Sequence, residues 1–163
     1  MKVAALIALT LTAMGAGWKA FHASGVSIRF PPDWYATATA LTPVTSPQQV
    51  LAVASYRLPA TDRGANGCEP RQALQQMPTG GAFIYGWSYG DAVPRSRVRE
   101  FPVRPTRFAL RHLVLDGCLG RSYRSRFRLH GQFFQIYVVL GQRATRATRT
   151  TVTRILDSFT VSR

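Results

Sequence analysis

Hydrophobic and polar residues alternate over several short stretches of this chain, with the period expected of half-buried β-strands. The alternation is clearest at residues 122–129, where Tyr123, Phe127 and Leu129 occupy one face and arginines the other. Strand-like stretches lie at residues 25–30, 35–41, 50–58, 80–89, 107–115, 122–129 and 133–140. His130-Gly131 is a two-residue connection of the kind that joins hairpin strands. Together these stretches predict an antiparallel sheet.

Two helices are predicted beside this sheet. Residues 70–77 form a short helix with Pro70 in its first turn. Near the C-terminus apolar residues recur at helical spacing, at Ala144, Ala147, Val152, Ile155, Leu156 and Phe159. The predicted fold class is α+β, an antiparallel β-sheet flanked by a short helix and a C-terminal amphipathic helix. The 163 residues suffice for one such domain, placed at residues 25–163, and are too few for two.

One strand-like stretch is unusually aromatic. Within residues 80–89, the side chains of Phe83, Tyr85, Trp87 and Tyr89 fall on one face. A face of this kind belongs more often to a core than to a ligand platform. We therefore expect it to be buried.

The first residues have the features of a secretory signal peptide. Lys2 precedes a short apolar stretch that gives way to small residues by Gly17. Residues 1–23 are assigned to this signal or to an N-terminal hydrophobic segment. The apolar stretch is too short to span a bilayer comfortably, so no transmembrane span is expected in the mature chain. These features predict a secreted or extracytoplasmic protein of the cell envelope.

The chain has two cysteines, Cys68 and Cys118. An even number of cysteines in an exported protein is normally paired, and their spacing matches no metal-site pattern. The alternative is two reduced, buried cysteines in an intracellular protein. A Cys68–Cys118 disulfide is therefore predicted, and neither a metal site nor a cofactor is expected.

Two segments resemble PsbP-like domains. Residues 25–34, Gly-Val-Ser-Ile-Arg-Phe-Pro-Pro-Asp-Trp, look like the opening of those domains, where a first strand runs into a P-x-x-W motif. Residues 154–159, Arg-Ile-Leu-Asp-Ser-Phe, are similar to their terminal helix. The resemblance implies an α/β/α sandwich with an antiparallel sheet between helices. It also implies a protein that docks onto larger assemblies at or near membranes, usually without catalysis.

Basic residues outnumber acidic ones by twenty-one to seven, which gives a net charge of +14. Such a charge attracts acidic lipid headgroups, anionic cell-wall polymer or nucleic acid, of which the predicted export disfavours nucleic acid. The alternative is compositional, because a G+C-rich genome encodes arginine in place of lysine. The candidate surface for an anionic partner is the arginine stripe, formed by Arg124, Arg126 and Arg128. Its alternative is a solvated strand face that prevents edge pairing.

One motif resembles a catalytic one. Residues 86–90, Gly-Trp-Ser-Tyr-Gly, match the nucleophile elbow of α/β-hydrolases, and Asp116 and His130 follow in the order of their triad. The chemistry needs Ser88 on a strand-to-helix turn, with His130 as base and Asp116 orienting it. After Gly90, however, the chain is a proline-interrupted loop with no helical period. The motif is therefore interpreted as an aromatic strand that ends in glycine.

These observations favour an exported, non-catalytic interaction domain that binds an envelope protein or an anionic surface, with its oligomeric state left open. Two other classes remain open: a small secreted serine hydrolase that uses Ser88, and a soluble ligand carrier. A hydrolase requires a histidine within hydrogen-bond reach of Ser88. A carrier requires an apolar pocket of several hundred Å³ between sheet and helix.

Overall fold

The computed structural model describes residues 17–65 and 67–162 of the chain. The predicted signal peptide falls largely in residues 1–16, and that part lies outside the described residues. The strands are β1 Lys19–Ala23, β2 Val26–Phe30, β3 Tyr35–Thr37, β4 Gln48–Ala54, β5 Ala82–Gly90, β6 Val114–Asp116, β7 Ser122–Leu129, β8 Gln132–Leu140 and β9 Thr160–Val161. The α-helices are α1 Arg71–Gln75 and α2 Arg146–Asp157, and short 3₁₀ helices cover Arg95–Glu100 and Leu110–His112. None of the helices in the described ranges has both the length and the apolar character needed to cross a membrane.

The strands form two antiparallel sheets. The larger sheet has six strands in the order β3-β4-β5-β8-β7-β6, and the smaller has three in the order β1-β2-β9. The predicted hairpin joins β7 to β8, and its turn residues His130 and Gly131 both have left-handed backbones, with φ of 50° and 79°. The α+β prediction, with an antiparallel sheet, a short helix and a C-terminal helix, is confirmed.

The six-stranded sheet is buried on both faces. One face packs against α2 and the three-stranded sheet, through Val53, Ile84, Phe127, Ile136, Val152 and Ile155. The other, which we call the aromatic face, carries Phe83, Tyr85, Trp87 and Tyr137. Ala73 of α1 and loop residues such as Leu41 and Leu119 cover it. The prediction that the aromatic residues of β5 form core is confirmed for Phe83, Tyr85 and Trp87, which are buried, whereas Tyr89 is only half-buried.

The C-terminal helix α2 forms where the sequence predicts it. Thr145 caps its first turn, because its Oγ1 accepts a hydrogen bond from the Thr148 N–H at 3.1 Å. Val152, Ile155 and Leu156 repeat at helical spacing and are fully buried. Burial of this apolar stripe fixes which side of α2 faces solvent.

Strand β1 lies within residues 1–23, which the sequence analysis assigns to a signal peptide or an N-terminal hydrophobic segment and not to a strand. It pairs along its whole length with β2 through a hairpin at Ser24-Gly25. Both turn residues have positive φ, 50° and 74°, which suits a tight hairpin with a right-handed twist. The strand is largely exposed, with only Phe21 and Ala23 half-buried, so its sequence lacks a clear apolar alternation.

A disulfide joins Cys68, in the loop before α1, to Cys118, just after β6. Both residues pack against the core of the aromatic face. The bond ties the loop that carries α1 to the β6 side of the sheet. The predicted pairing is confirmed.

Candidate functional site

The arginine stripe of β7 lies on the aromatic face of the six-stranded sheet. In the β7–β8 register Arg124 is opposite Tyr137, Arg126 is opposite Gln135, and Arg128 is opposite Phe133. Only 25 % of the Arg124 side chain and 21 % of the Arg126 side chain are exposed. Two of the three arginines are therefore partly covered, and Arg128 at the end of the strand is exposed.

Carboxylates neutralise the two covered arginines. Arg124 Nη1 donates to Asp116 Oδ2, and Arg126 Nη1 donates to Glu100 Oε2. Arg97 also binds Glu100, with Nε 3.0 Å from Oε1. Hydrogen bonding from Arg97, and then the positive charges of Arg97 and Arg126, hold the pKa of Glu100 below its ordinary value. The charges of Arg124 and Arg126 are thus balanced by carboxylates of the same domain.

Arg126 also belongs to a buried polar network. Its Nε donates to Gln135 Oε1 at 2.6 Å, and Gln135 Nε2 donates to the Tyr137 hydroxyl. The guanidinium lies 5.6 Å from the centre of the Phe101 ring, which the segment before β6 places over this part of the sheet. Burial raises the pKa of Tyr137 to about 12. Arg126 therefore has a structural role that its place in the alternating pattern did not reveal.

The outer face of α2 carries three arginines that, unlike Arg124 and Arg126, are open to solvent. Arg146, Arg149 and Arg154 are all exposed, and the residues between them that face solvent are mostly alanine and threonine. No acidic residue lies in the first turn of the helix. Of the four ion pairs in the described residues, none involves these three arginines. We call Arg146, Arg149 and Arg154 the helix arginines.

A groove opens at the β6 side of the sheet, beside Arg124 and Arg126. It has a volume of about 580 Å³, and its walls include Val103, Pro105, Arg107, Phe108, Leu113 and Val114. We call it the edge groove. It exists because β6 covers only the first part of β7, from Ser122 to Arg124, and the chain bridges β7 again only at Arg128.

The wall of the groove that runs from Pro102 to Phe108 is anchored to its surroundings. The Arg128 N–H donates to Pro102 O at 2.8 Å, and the Arg104 N–H donates to Arg128 O at 3.0 Å. Arg104 Nη2 donates to the carbonyl oxygens of Leu156 and Asp157 at the end of α2, at 3.2 and 2.7 Å. A cation at this end also suits the helix dipole. The groove wall is therefore held in place by β7 and α2.

The hydrolase residues are not arranged as a triad. Ser88 lies inside strand β5, and its Oγ accepts a hydrogen bond from the Gly90 N–H at 3.0 Å. Asp116 binds Arg124 and pairs with Ser122 at the start of β7. His130 follows the far end of that strand, roughly 25 Å away at the rise of an extended chain. Asp116 therefore cannot orient His130.

The structure can also be compared with the expectations about a metal site, a carrier pocket and the surroundings of Ser88. No three His, Cys, Asp or Glu side chains gather as metal ligands within residues 17–65 and 67–162. The edge groove reaches the volume expected of a carrier, but it opens at the rim of the sheet, not between sheet and helix. Ser88 and His130 line a second cavity, of about 490 Å³, at the hairpin end of the sheet.

Sequence reasoning missed both the helix arginines and the edge groove. The sequence did carry a signal for the helix arginines, because the spacing that predicts the buried stripe of α2 also assigns Arg146 and Arg154 to the opposite side of the helix. The groove had no signal in the pattern, because it depends on where β6 stops pairing with β7.

A search of protein-family models, of curated proteins and of solved structures finds no match to this chain. The resemblance of residues 25–34 and 154–159 to PsbP-like domains stays a prediction.

Proposed function

We propose that this chain is an exported, non-catalytic domain that binds an anionic surface of the cell envelope through the helix arginines. The observation that carries the proposal is the position of Arg146 and Arg149 in the first turn of α2, without an acidic residue beside them. These side chains are exposed and are not among the described ion pairs. The charge therefore remains available to a partner.

The placement runs against helix stability. The N-terminus of a helix carries a partial positive charge, so a cation there costs about 0.3–1 kcal/mol. Arg146 is the first helical residue, and Arg149 ends the first turn. A helix selected for stability alone would carry aspartate or glutamate at these positions. Binding of an anion offsets the cost.

The geometry makes the helix arginines act together. Arg146 and Arg154 are eight residues apart, which corresponds to about 12 Å along the helix axis. Arg149 follows Arg146 by three residues, so these two side chains are neighbours on the helix surface and their charges fall within about one Debye length at physiological salt. Arg154 lies about 80° from Arg146 around the helix axis and extends the positive surface along α2. Their potentials add at a flat anionic surface, where each basic residue contributes about 1 kcal/mol.

Two features agree with a location outside the cytoplasm. The disulfide between Cys68 and Cys118 is typical of oxidising compartments. The signal-like segment at residues 1–23 predicts export. The PsbP-like resemblance supports the same class of function, since it implies docking at or near membranes without catalysis.

The test is sedimentation of the mature protein with phosphatidylglycerol-containing vesicles and with pure phosphatidylcholine vesicles. We expect binding only to the anionic vesicles, release as salt rises, and loss of most binding when Arg146, Arg149 and Arg154 are all replaced by glutamine. The matched control replaces the exposed Arg57, Arg63 and Arg95 by glutamine, which changes the net charge equally.

The control is expected to keep most of the binding, since its arginines are scattered over loops and a 3₁₀ helix. Equal loss in both triple variants would mean that net charge alone drives the interaction. Absence of binding to anionic vesicles at low salt would reject the proposed function.

A further inference from the structure

Exposed large hydrophobic side chains are concentrated at the β6 side of the sheet. In the described residues, three of the four exposed large hydrophobic side chains lie there: Val103, Val114 and Leu115, at 67 %, 58 % and 59 % exposure. Exposed apolar residues that cluster in this way mark interaction sites more often than chance surface positions. Val103 and Val114 line the edge groove, and Leu115 continues along β6.

Strand β6 is also an open edge. It is the outermost strand of the six-stranded sheet, and its partner on the inner side is β7. The N–H and C=O of Arg128 point away from β8, since they bond to Pro102 and Arg104. The direction of these backbone groups alternates from residue to residue along a strand, so the N–H and C=O of Arg126 and Arg124 also point away from β8. Val114 pairs with Arg124, so the N–H and C=O of the next residue, Leu115, point outward from the sheet. The edge can therefore accept another strand at Leu115.

The gap beside β6 adds a pocket to this edge. The N–H and C=O of Arg126 face the edge groove between the pairings at Arg124 and at Arg128. The groove is walled by apolar side chains, among them Phe108 and Leu113. Since Arg104 and Phe108 tie one wall to α2, through Asp157 in both cases, the pocket is preformed. A preformed pocket loses less conformational entropy when a ligand binds.

Charge indicates the kind of occupant. The groove lining contains three arginines and one acidic residue, Glu100. Arg124 and Arg126 are already paired, whereas Arg107 is exposed and is not among the described ion pairs. A second copy of this chain would bring the same net charge of +14 to the contact. An acidic partner fits better.

We propose that the edge groove and the outer edge of β6 form a docking site for an extended, acidic segment of a partner protein. The segment pairs with the backbone of Leu115, an apolar side chain enters the groove, and a carboxylate binds Arg107. This site is separate from the helix arginines, and it does not depend on binding to an anionic surface.

The experiment selects from a displayed library of twelve-residue peptides with acidic residues at alternate positions, using the disulfide-bonded protein. The best peptide is then synthesised and its affinity is measured for three variants. Arg107→Glu should weaken binding at least tenfold. Leu115→Pro should do the same, because proline removes the outward N–H that an added strand would use while an edge position tolerates it in the fold. Arg146→Glu is the charge-matched control and should bind as the parent does.

Backbone amide spectra locate the contact. The signals of Leu115 and Arg126 should shift on titration, and the Leu115 amide should become protected from exchange. Four results would overturn the proposal: no peptide is selected, Arg107→Glu and Arg146→Glu weaken binding equally, the shifts map elsewhere, or the protein dimerises through β6 in sedimentation. A fifth result would also overturn it: displacement of the peptide by decanoate alone, at equal affinity, would make the groove a small-molecule site.

Discussion

Arg126 and Gln135 face each other across β7 and β8, and the guanidinium Nε donates to the amide Oε1 at 2.6 Å. Gln135 is only 3 % exposed, so this oxygen has little access to water. Arg126 is the closer of the two donors to this oxygen, since the Tyr89 hydroxyl donates to it at 3.4 Å. The energetics of such a pair are asymmetric, since an unpaired buried polar atom costs more than the bond contributes.

Replacing both partners should cost less than the sum of the two single replacements. Gln135→Leu or Arg126→Met alone should each lower the free energy of unfolding by about 1–3 kcal/mol, because a polar group loses its buried partner. The double variant should lie closer to the parent than the sum of the two single effects. Urea unfolding of all four proteins measures this coupling. Strict additivity would show that the two side chains act independently.

Glu100 should make stability depend on acid pH. Its pKa lies below the ordinary value of 4.5 because Arg97 hydrogen-bonds the carboxylate and Arg97 and Arg126 bring positive charge. A carboxyl group with a depressed folded pKa contributes stability above its unfolded pKa and loses it as pH falls through the folded pKa. Glu100→Gln should therefore be less stable than the parent at neutral pH, and the difference should shrink below pH 4.5. Thermal unfolding across acid pH tests this, and a gap that stays constant with pH would contradict it.

Arg146→Glu should stabilise the protein. The substitution puts a negative charge at the first residue of α2, where the helix dipole favours it, and should raise the free energy of unfolding by about 0.3–1 kcal/mol. Arg154 supplies the matched control, because it lies in the last turn, where a cation is favourable, and its guanidinium lies 4.8 Å from the centre of the Trp18 ring. Arg154→Glu should destabilise. If both substitutions shift the melting temperature in the same direction, the dipole argument fails.

Removing the disulfide should cost more than any of these changes. Cys68 and Cys118 are 50 residues apart in sequence, and the loop-closure model gives about 4 kcal/mol for a link of that span. The double variant Cys68→Ala with Cys118→Ala should unfold at much lower denaturant than the parent. Mass measurement of the purified protein, before and after reduction, should show a gain of two hydrogens. An unchanged mass would mean that the protein carries free thiols.

Ser88→Ala should leave any esterase-like activity of the purified protein unchanged. Ser88 sits within β5 with its Oγ bound to the Gly90 N–H, and Asp116 is committed to Arg124. Neither arrangement activates a serine. Hydrolysis of a p-nitrophenyl ester, compared between parent and variant at equal folded content, gives the answer. A loss of several orders of magnitude in the variant would restore the hydrolase hypothesis.

The sequence predicts the elements whose pattern is local. The alternation at β7, the turn at His130-Gly131 and the apolar spacing of α2 each depend on neighbouring residues, and the structure has all three. The same patterns could not reveal the environment of Arg126. Its burial depends on β8 placing Gln135 opposite it and on Phe101 folding over it from a distant segment.

Two strands were missed for related reasons. β1 is mostly exposed, and β9 has only two residues, so neither carries an apolar period of useful length. The edge groove was missed because it is a gap in pairing. A gap arises from the geometry of the chain between Val103 and Val114, and no single residue type encodes it.

The two ends of the described domain meet in one sheet, since β2 pairs with β1 on one side and with β9 on the other. Phe159 and Val161, next to and within β9, are part of the same core as Val26 and Ile28 of β2. During synthesis, β2 therefore lacks its second partner strand until residues 160–161 have been made. The core around β2 is therefore incomplete until this segment has been made. If residues 1–23 direct export as the sequence predicts, the core around β2 would be completed only after most of the chain had passed through the export channel.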